Sequence, residues 1–273
     1  MVDKKIYQTF KKGSRTYFLT SLFFPKNIKE DVFILYAFVR KADNFVDAIP
    51  QQKNEFKQFC RLYDKAISGK KSHDPIIDTF VDLVKRKKFK KEWVDAFLDA
   101  MNMDLYKSKY KTIKEVEQYM YGSAEVVGLM MAKILSLPAV SYTSARMLGR
   151  SMQYTNFLRD VREDLEMGRN YLPSGEQRGF TLSSYEKGKN SIDKEYRNFV
   201  AKQIQRAERY QLEAEKGFAF IPKHYLLPIK TASDLYNWTR DEIKKNPSII
   251  YTKKIRPSHL RILMTIVKNW MTL

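Results

Sequence analysis

Apolar residues recur along this chain every three or four positions and almost never alternate strictly, a pattern that predicts helices nearly throughout. Breakers show where each one stops. Pro25 precedes a helix running to Pro50, and a second follows to Ser68. Pro75 opens another that ends in the lysine cluster Lys85 to Lys91, expected as a solvated helix end, and Lys91 to Met103 continues with Trp93, Val94, Phe97 and Leu98 on its apolar side. Thr112, with Glu115 three residues on, reads as a capping box heading a segment that stops near Pro138. Ser141 or Thr143 then starts a helix expected to run unbroken to Gly168. Leu172 to Asn190 reads as a loop, and three helices follow: Ile192 to Gly217, His224 to Lys245, and Ser258 to the end. No repeat or linker divides the chain, so the expectation is one all-α domain over 1–273.

Polar residues on two of these helices each form a single stripe. Tyr36, Arg40, Asp43 and Asp47 follow spacings of 4, 3 and 4, an arc of roughly 60° at about 100° per residue. Alone, that stripe is equally consistent with a face turned to water. Gln153, Asn156, Asp160 and Asp164 follow spacings of 3, 4 and 4 and share a face with Gly149, whose lack of a side chain would let a ligand approach. A solvated face more often mixes Lys with Glu, whereas this one carries only oxygen donors. Carboxylates at i and i+4 aim at one point, and hard cations such as Mg²⁺ take one or two of them plus phosphate oxygens. Two such pairs on facing helices would clamp a diphosphate, with Arg159, Arg162 and Arg169 supplying bidentate cations nearby.

Composition narrows the classes. One cysteine, Cys60, excludes an internal disulfide, and His73, His224 and His259 make no zinc cluster. There is no signal-peptide pattern and no long uncharged apolar window, so a reducing cytoplasm is the expected compartment. A net charge of +19 favours polyanionic partners: phosphorylated substrates, anionic lipid headgroups or nucleic acid. The scattered lysines lack the aromatic-laced stripe of a nucleic-acid surface, so no nucleic-acid partner is expected.

The run Leu35-Tyr-Ala-Phe-Val-Arg-Lys-Ala-Asp-Asn-Phe-Val-Asp47, with Gln153-x-x-Asn-x-x-Arg-Asp-x-x-Glu-Asp164 and Gly168-Arg-x-Tyr-Leu-Pro173, resembles the squalene and phytoene synthase family from about Tyr17 to Tyr251. The resemblance implies an isoprenoid-synthase helical bundle around a central apolar cavity. It also implies the joining of two allylic prenyl diphosphates head to head with Mg²⁺, or Mn²⁺ in its place. By the same resemblance Asp43, Asp47, Asn156, Asp160 and Asp164 are metal ligands or their neighbours, while Tyr36, Arg40, Gln153 and Arg159 line the diphosphate region. Gly13-Ser-Arg-Thr-Tyr17 keeps the cation and hydroxyl of a family segment but lacks its histidine, leaving Arg15 and Thr16 as diphosphate contacts. Tyr236 and Lys253-Lys-Ile-Arg256 resemble the family's closing tyrosine and basic segment. Glu125 stands where glycine is usual, in a run whose Ala124, Val127 and Gly128 match; those small residues serve either close packing or the prenyl pocket.

The pattern is most like prokaryotic phytoene synthases, acting on geranylgeranyl diphosphate; the chain ends without the C-terminal membrane span of eukaryotic squalene synthases. Spacing does not separate C15 from C20 substrates. A squalene or dehydrosqualene synthase acting on farnesyl diphosphate is the alternative, with NADPH needed only for the squalene type. A catalytically inactive relative acting as a scaffold is a further alternative, although both acidic pairs are intact. Terpene cyclases and head-to-tail prenyltransferases would more typically show Asp-Asp-x-x-Asp. Lipid substrates and the positive charge together imply peripheral contact with an anionic membrane. The amphipathic Leu260 to Leu273 helix is expected to pack on the bundle, with lying on a membrane as the other reading. No motif names a protein partner.

Overall fold

Helix termini in the computed structural model, which describes residues 3–183 and 194–273, follow the chain's caps and breakers closely. Two short helices precede Pro25 that the periodicity does not reveal: α1 (Lys4–Gly13) and α2 (Arg15–Ser21). The first buries only Ile6 and Phe10 among many lysines, too sparse a signal to read; Ser14 ends it and caps the next by accepting from the Tyr17 N–H (3.3 Å). Then come α3 (Lys26–Asp47), α4 (Lys53–Ile67), α5 (Pro75–Lys87) and α6 (Lys91–Met103), close to expectation. Lys88 ends α5 in the left-handed region (φ 52°), and the lysine cluster is not wholly solvated, since Arg86 and Lys87 both reach buried Asp31 (2.6 and 3.2 Å).

Thr112 caps α7 (Ile113–Met120) as expected; Glu115 reaches the Lys111 N–H (3.3 Å) and the Lys107 ammonium (3.0 Å). The helix then widens into a π turn, Tyr121–Glu125, before continuing as α8 (Val126–Ile134). The long helix expected to reach Gly168 is instead broken at Asp160 (φ −102°, ψ 16°), giving α9 (Tyr142–Arg159) and α10 (Val161–Glu166). The break is shallow: the Asp164 N–H still bonds the Asp160 carbonyl (2.9 Å), so the two side chains keep their stacking. The end of the expected loop and the expected helix start at Ile192 lie outside the described residues. Beyond them run α11 (Lys194–Glu215), α12 (Lys223–Lys245), α13 (Ile249–Thr252) and α14 (His259–Thr272). Among the described residues no helix is long and apolar enough to cross a membrane.

Helix α9 packs on α8, α11 and α12, while α3 packs on α1, α5 and α6. Between them lies an apolar cavity of about 310 Å³, walled by α2, α3, α8, α9 and α12. Small residues bring its walls together. A Cβ on Gly128 would lie 2.3 Å from the Ala145 carbonyl oxygen, and one on Gly149 2.4 Å from that of Ala124. Gly149 itself lines the cavity, as the expectation of room for a ligand requires, and its missing side chain also lets α9 lie against the backbone at Ala124. Ala124, Val127 and Gly128 also line the cavity, so the two readings of that run hold together. Gly149→Ala should lower unfolding free energy by about 1–3 kcal/mol through this overpacking, measured by urea denaturation; an unchanged midpoint would show that the helices separate freely.

Candidate active site

Helix α3 delivers its stripe to one end of the cavity. Tyr36 lines the cavity and stacks on Phe10 (ring centroids 3.9 Å). One turn on, Arg40 pairs with Asp43. Asp47, the last residue of the helix, accepts from the Arg169 guanidinium (2.6 Å). Arg169 reaches it because Gly168 adopts φ 76°, which ends α10 and turns the chain back. The returning segment is held by Asn170 N–H to Ser108 carbonyl (2.7 Å) and Ser174 N–H to Tyr110 carbonyl (2.9 Å).

Helices α9 and α10 bring the second stripe. Gln153 and Asn156 line the cavity, the Asn156 amide donating to the Gln153 oxygen (3.3 Å). The Asn156 oxygen is buried with no hydrogen-bond partner among the described residues. Arg159 grips the neighbouring Asp160 (2.8 Å), and Lys254, from the basic segment after α13, reaches Asp160 (3.4 Å) and Glu163 (3.1 Å). Tyr17 and Tyr236 face each other across α2 and α12, hydroxyl to hydroxyl at 2.8 Å. Arg15 and Thr16 occupy the first turn of α2 beside Tyr17, Arg15 exposed. Arg162 is exposed and pairs with Glu166 (2.9 Å), one turn further along α10.

Like charge dominates the electrostatics. Burial, together with the charges of Asp47 and Asp104, pushes Asp43 up to about 7 against the pull of Arg40. Burial and the nearby Asp160 and Asp47 raise Asp164 well above the carboxylate range. Asp160 goes the other way: burial opposes its charge, yet Arg159 and Lys254 hold it below the usual value. Thus Asp43, even with Arg40 beside it, and Asp164 resist ionising, whereas Asp160 does not. Among the described residues no three carboxylates close on a single point; the pairs approach each other with arginines between them.

Several participants carry no sequence signal. Buried Asp104 accepts from Tyr119 (2.6 Å) and Tyr171 (2.8 Å), and Tyr171 touches Arg169 (3.4 Å). Burial pushes Asp104 up to about 6 against those donors. Nothing local to residue 104 predicts this, since both tyrosines arrive from other elements. Glu125 is fully buried, each oxygen held by an arginine, Arg146 (2.8 Å) and Arg150 (2.6 Å), and it is not among the residues of the cavity wall. It stabilises the junction of the π turn with α9 instead.

The squalene/phytoene synthase family model matches residues 10–262. The chain is 30% identical over 266 residues to phytoene synthase 2 of Solanum lycopersicum, covering 93% of this chain and 84% of that protein. It is 29% identical over 272 residues to the phytoene synthase of an Oncidium hybrid cultivar, covering 95% of this chain but only 65% of that longer protein. A crystal structure of a dehydrosqualene synthase in complex with ligand superposes with a TM-score of 0.88 at 25% identity, covering 98% of this chain and 94% of the other.

The raised carboxylates imply a pH dependence of stability. The folded state keeps protons on Asp43 and Asp104 that the unfolded chain releases near pH 4, so their contribution is full below that pH and is lost as pH rises through about 6 and 7. In chelator, Tm should fall between pH 5 and pH 8, and Asp43→Asn should flatten the slope. A slope identical in the variant would mean that Asp43 ionises normally.

Proposed function

The chain belongs to the squalene/phytoene synthase family, and from that premise we propose that it joins two allylic prenyl diphosphates head to head into a 1,1′-linked hydrocarbon. The observation that carries this reading is that Tyr36 on α3 and Gln153 and Asn156 on α9 line one apolar cavity, with the carboxylates of each stripe on the next turns along the same faces. The cavity accommodates prenyl chains while the stripes take the diphosphates. Geranylgeranyl diphosphate going to phytoene is the first reading, supported by the likeness to plant phytoene synthases. Farnesyl diphosphate going to a C30 product is the second, supported by the structural likeness to the dehydrosqualene synthase.

The donor set fits Mg²⁺ or Mn²⁺. The Asn156 oxygen is buried and unpartnered among the described residues, and Asp43 and Asp164 are pushed up by burial and neighbouring negative charge, so an added cation relieves all three. Asp43, Asp47, Asn156, Asp160 and Asp164 would hold it. Bound there, the ion supplies Lewis-acid neutralisation of the diphosphate.

Side chains of this protein account for the rest. Arg40, Arg159, Arg15 and Lys254 offer N–H donors to the departing diphosphate, which leaves with the C1–O electron pair. Burial raises Tyr17 and Tyr36, so both stay protonated and donate to diphosphate oxygens. Gln153 and the Tyr236 hydroxyl extend that polar end. The allylic cation is attacked by the 2,3 double bond of the second substrate, and loss of a proton closes a cyclopropane. The second diphosphate then leaves and the skeleton rearranges to the 1,1′ link. Proton loss ends the phytoene and dehydrosqualene routes; hydride from NADPH ends the squalene route. Throughout, the apolar walls keep water from the cations.

Incubation with Mg²⁺ and either farnesyl or geranylgeranyl diphosphate, with and without NADPH, should yield a hydrocarbon whose mass separates C30 from C40 and reduced from unreduced products. Asp43→Ala and Asp160→Ala should each lower turnover by at least about 10³-fold without loss of fold. Mg²⁺ should raise the Tm of the unmodified protein but not of Asp160→Asn. Full turnover in both alanine variants would refute the clamp, and inactivity with every diphosphate would favour a scaffold role.

A further inference from the structure

Helix α14 is apolar on two sides. Ile262, Ile266 and Asn269 face inward against α12 and α2, the Asn269 amide donating to Asp234 (2.8 Å). Outward, Leu260, Leu263, Met264, Val267, Trp270 and Met271 are 46% to 75% exposed. At about 100° per residue these six share an arc of roughly 120°. Six of the fourteen exposed large hydrophobic residues among those described thus sit on one short helix. A helix that merely covered the bundle would be polar on that side.

Charge selects the occupant. The helix contains no acidic residue, Arg261 and Lys268 lie along one edge of the apolar arc, His259 is exposed at the helix's first position, and Lys253 and Arg256 are exposed just before it. Two copies paired face to face would bring those cations against one another, whereas an anionic surface would neutralise them. Trp270, 72% exposed at the edge of the arc, suits an apolar to polar boundary.

The cavity points the same way. Asp43 and Asp47 lie at the far end of α3, so the start of α3 and the end of α2 mark the hydrocarbon end. There the turn exposing Leu22 and Phe23 also contributes Phe24 to the cavity wall, and exposed Phe220 lies between the lining residues Phe218 and Ile221. The Lys223 ammonium donates to the terminal Leu273 carbonyl (2.7 Å), tying the end of α14 to this region.

We propose that α14 docks the protein on an anionic phospholipid bilayer, its outward face seated among the headgroups and the hydrocarbon end of the cavity turned toward lipid. Sedimentation of the full chain with phosphatidylcholine vesicles, with and without phosphatidylglycerol, tests this. The protein should partition onto the anionic vesicles, and L263S/W270S/M271S should weaken partitioning by at least about tenfold while Tm and turnover on detergent-dispersed substrate stay unchanged. Equal partitioning of the variant, equal binding to vesicles lacking phosphatidylglycerol, or no sedimentation would overturn the proposal. So would light scattering that shows a dimer dispersed by the triple substitution, which would make this face an interface between copies.

Discussion

Negative charge crowded at the polar end of an apolar cavity is the constraint on which this architecture turns. Carboxylates removed from water repel one another far more strongly than at a surface, so each must find a cation, share a proton or distort the fold. Asp160 finds Arg159 and Lys254; Asp47 finds Arg169. Asp43, although paired with Arg40, and Asp164 still resist ionising. That excess of negative charge, on two facing stripes beside an unpartnered amide oxygen, is the feature on which the proposed metal site rests.

Support for the arrangement comes from polar contacts behind it. Asp104 binds two tyrosine hydroxyls, Tyr171 touches Arg169, and Arg169 holds Asp47, so one buried carboxylate is linked through three side chains to the end of α3. On the far side of the π turn, Glu125 ties that turn to α9 through Arg146 and Arg150. Both devices bury charge with good partners, which fixes geometry rather than adding much stability. Close helix contact at Gly128 and Gly149 completes the frame, since any side chain there would push the walls of the cavity apart.

Much was legible from the residues in order. The helical period, the breakers at Pro25 and Pro75, the Thr112 cap and the two polar stripes are local properties, encoded by spacing alone. The break at Asp160 was not, because its cost is small and the i to i+4 bond survives it. Helices α1 and α2 are not legible from spacing, because α1 buries only Ile6 and Phe10 among lysines and α2 is only seven residues long. Gly149 serves two ends that spacing does not separate: it lines the cavity, and its missing side chain lets α9 approach the backbone of Ala124.

The sequence by itself determined the fold class, the family likeness and the oxygen-rich chemistry, because helical spacing decides which side chains share a face whatever lies opposite. Only the tertiary structure decided what each face meets. It turned Arg169 onto Asp47, buried Asp104 and Glu125 among partners distant in the chain, and left one side of α14 bare. Those outcomes depend on where other helices pack, and no local pattern carries that information.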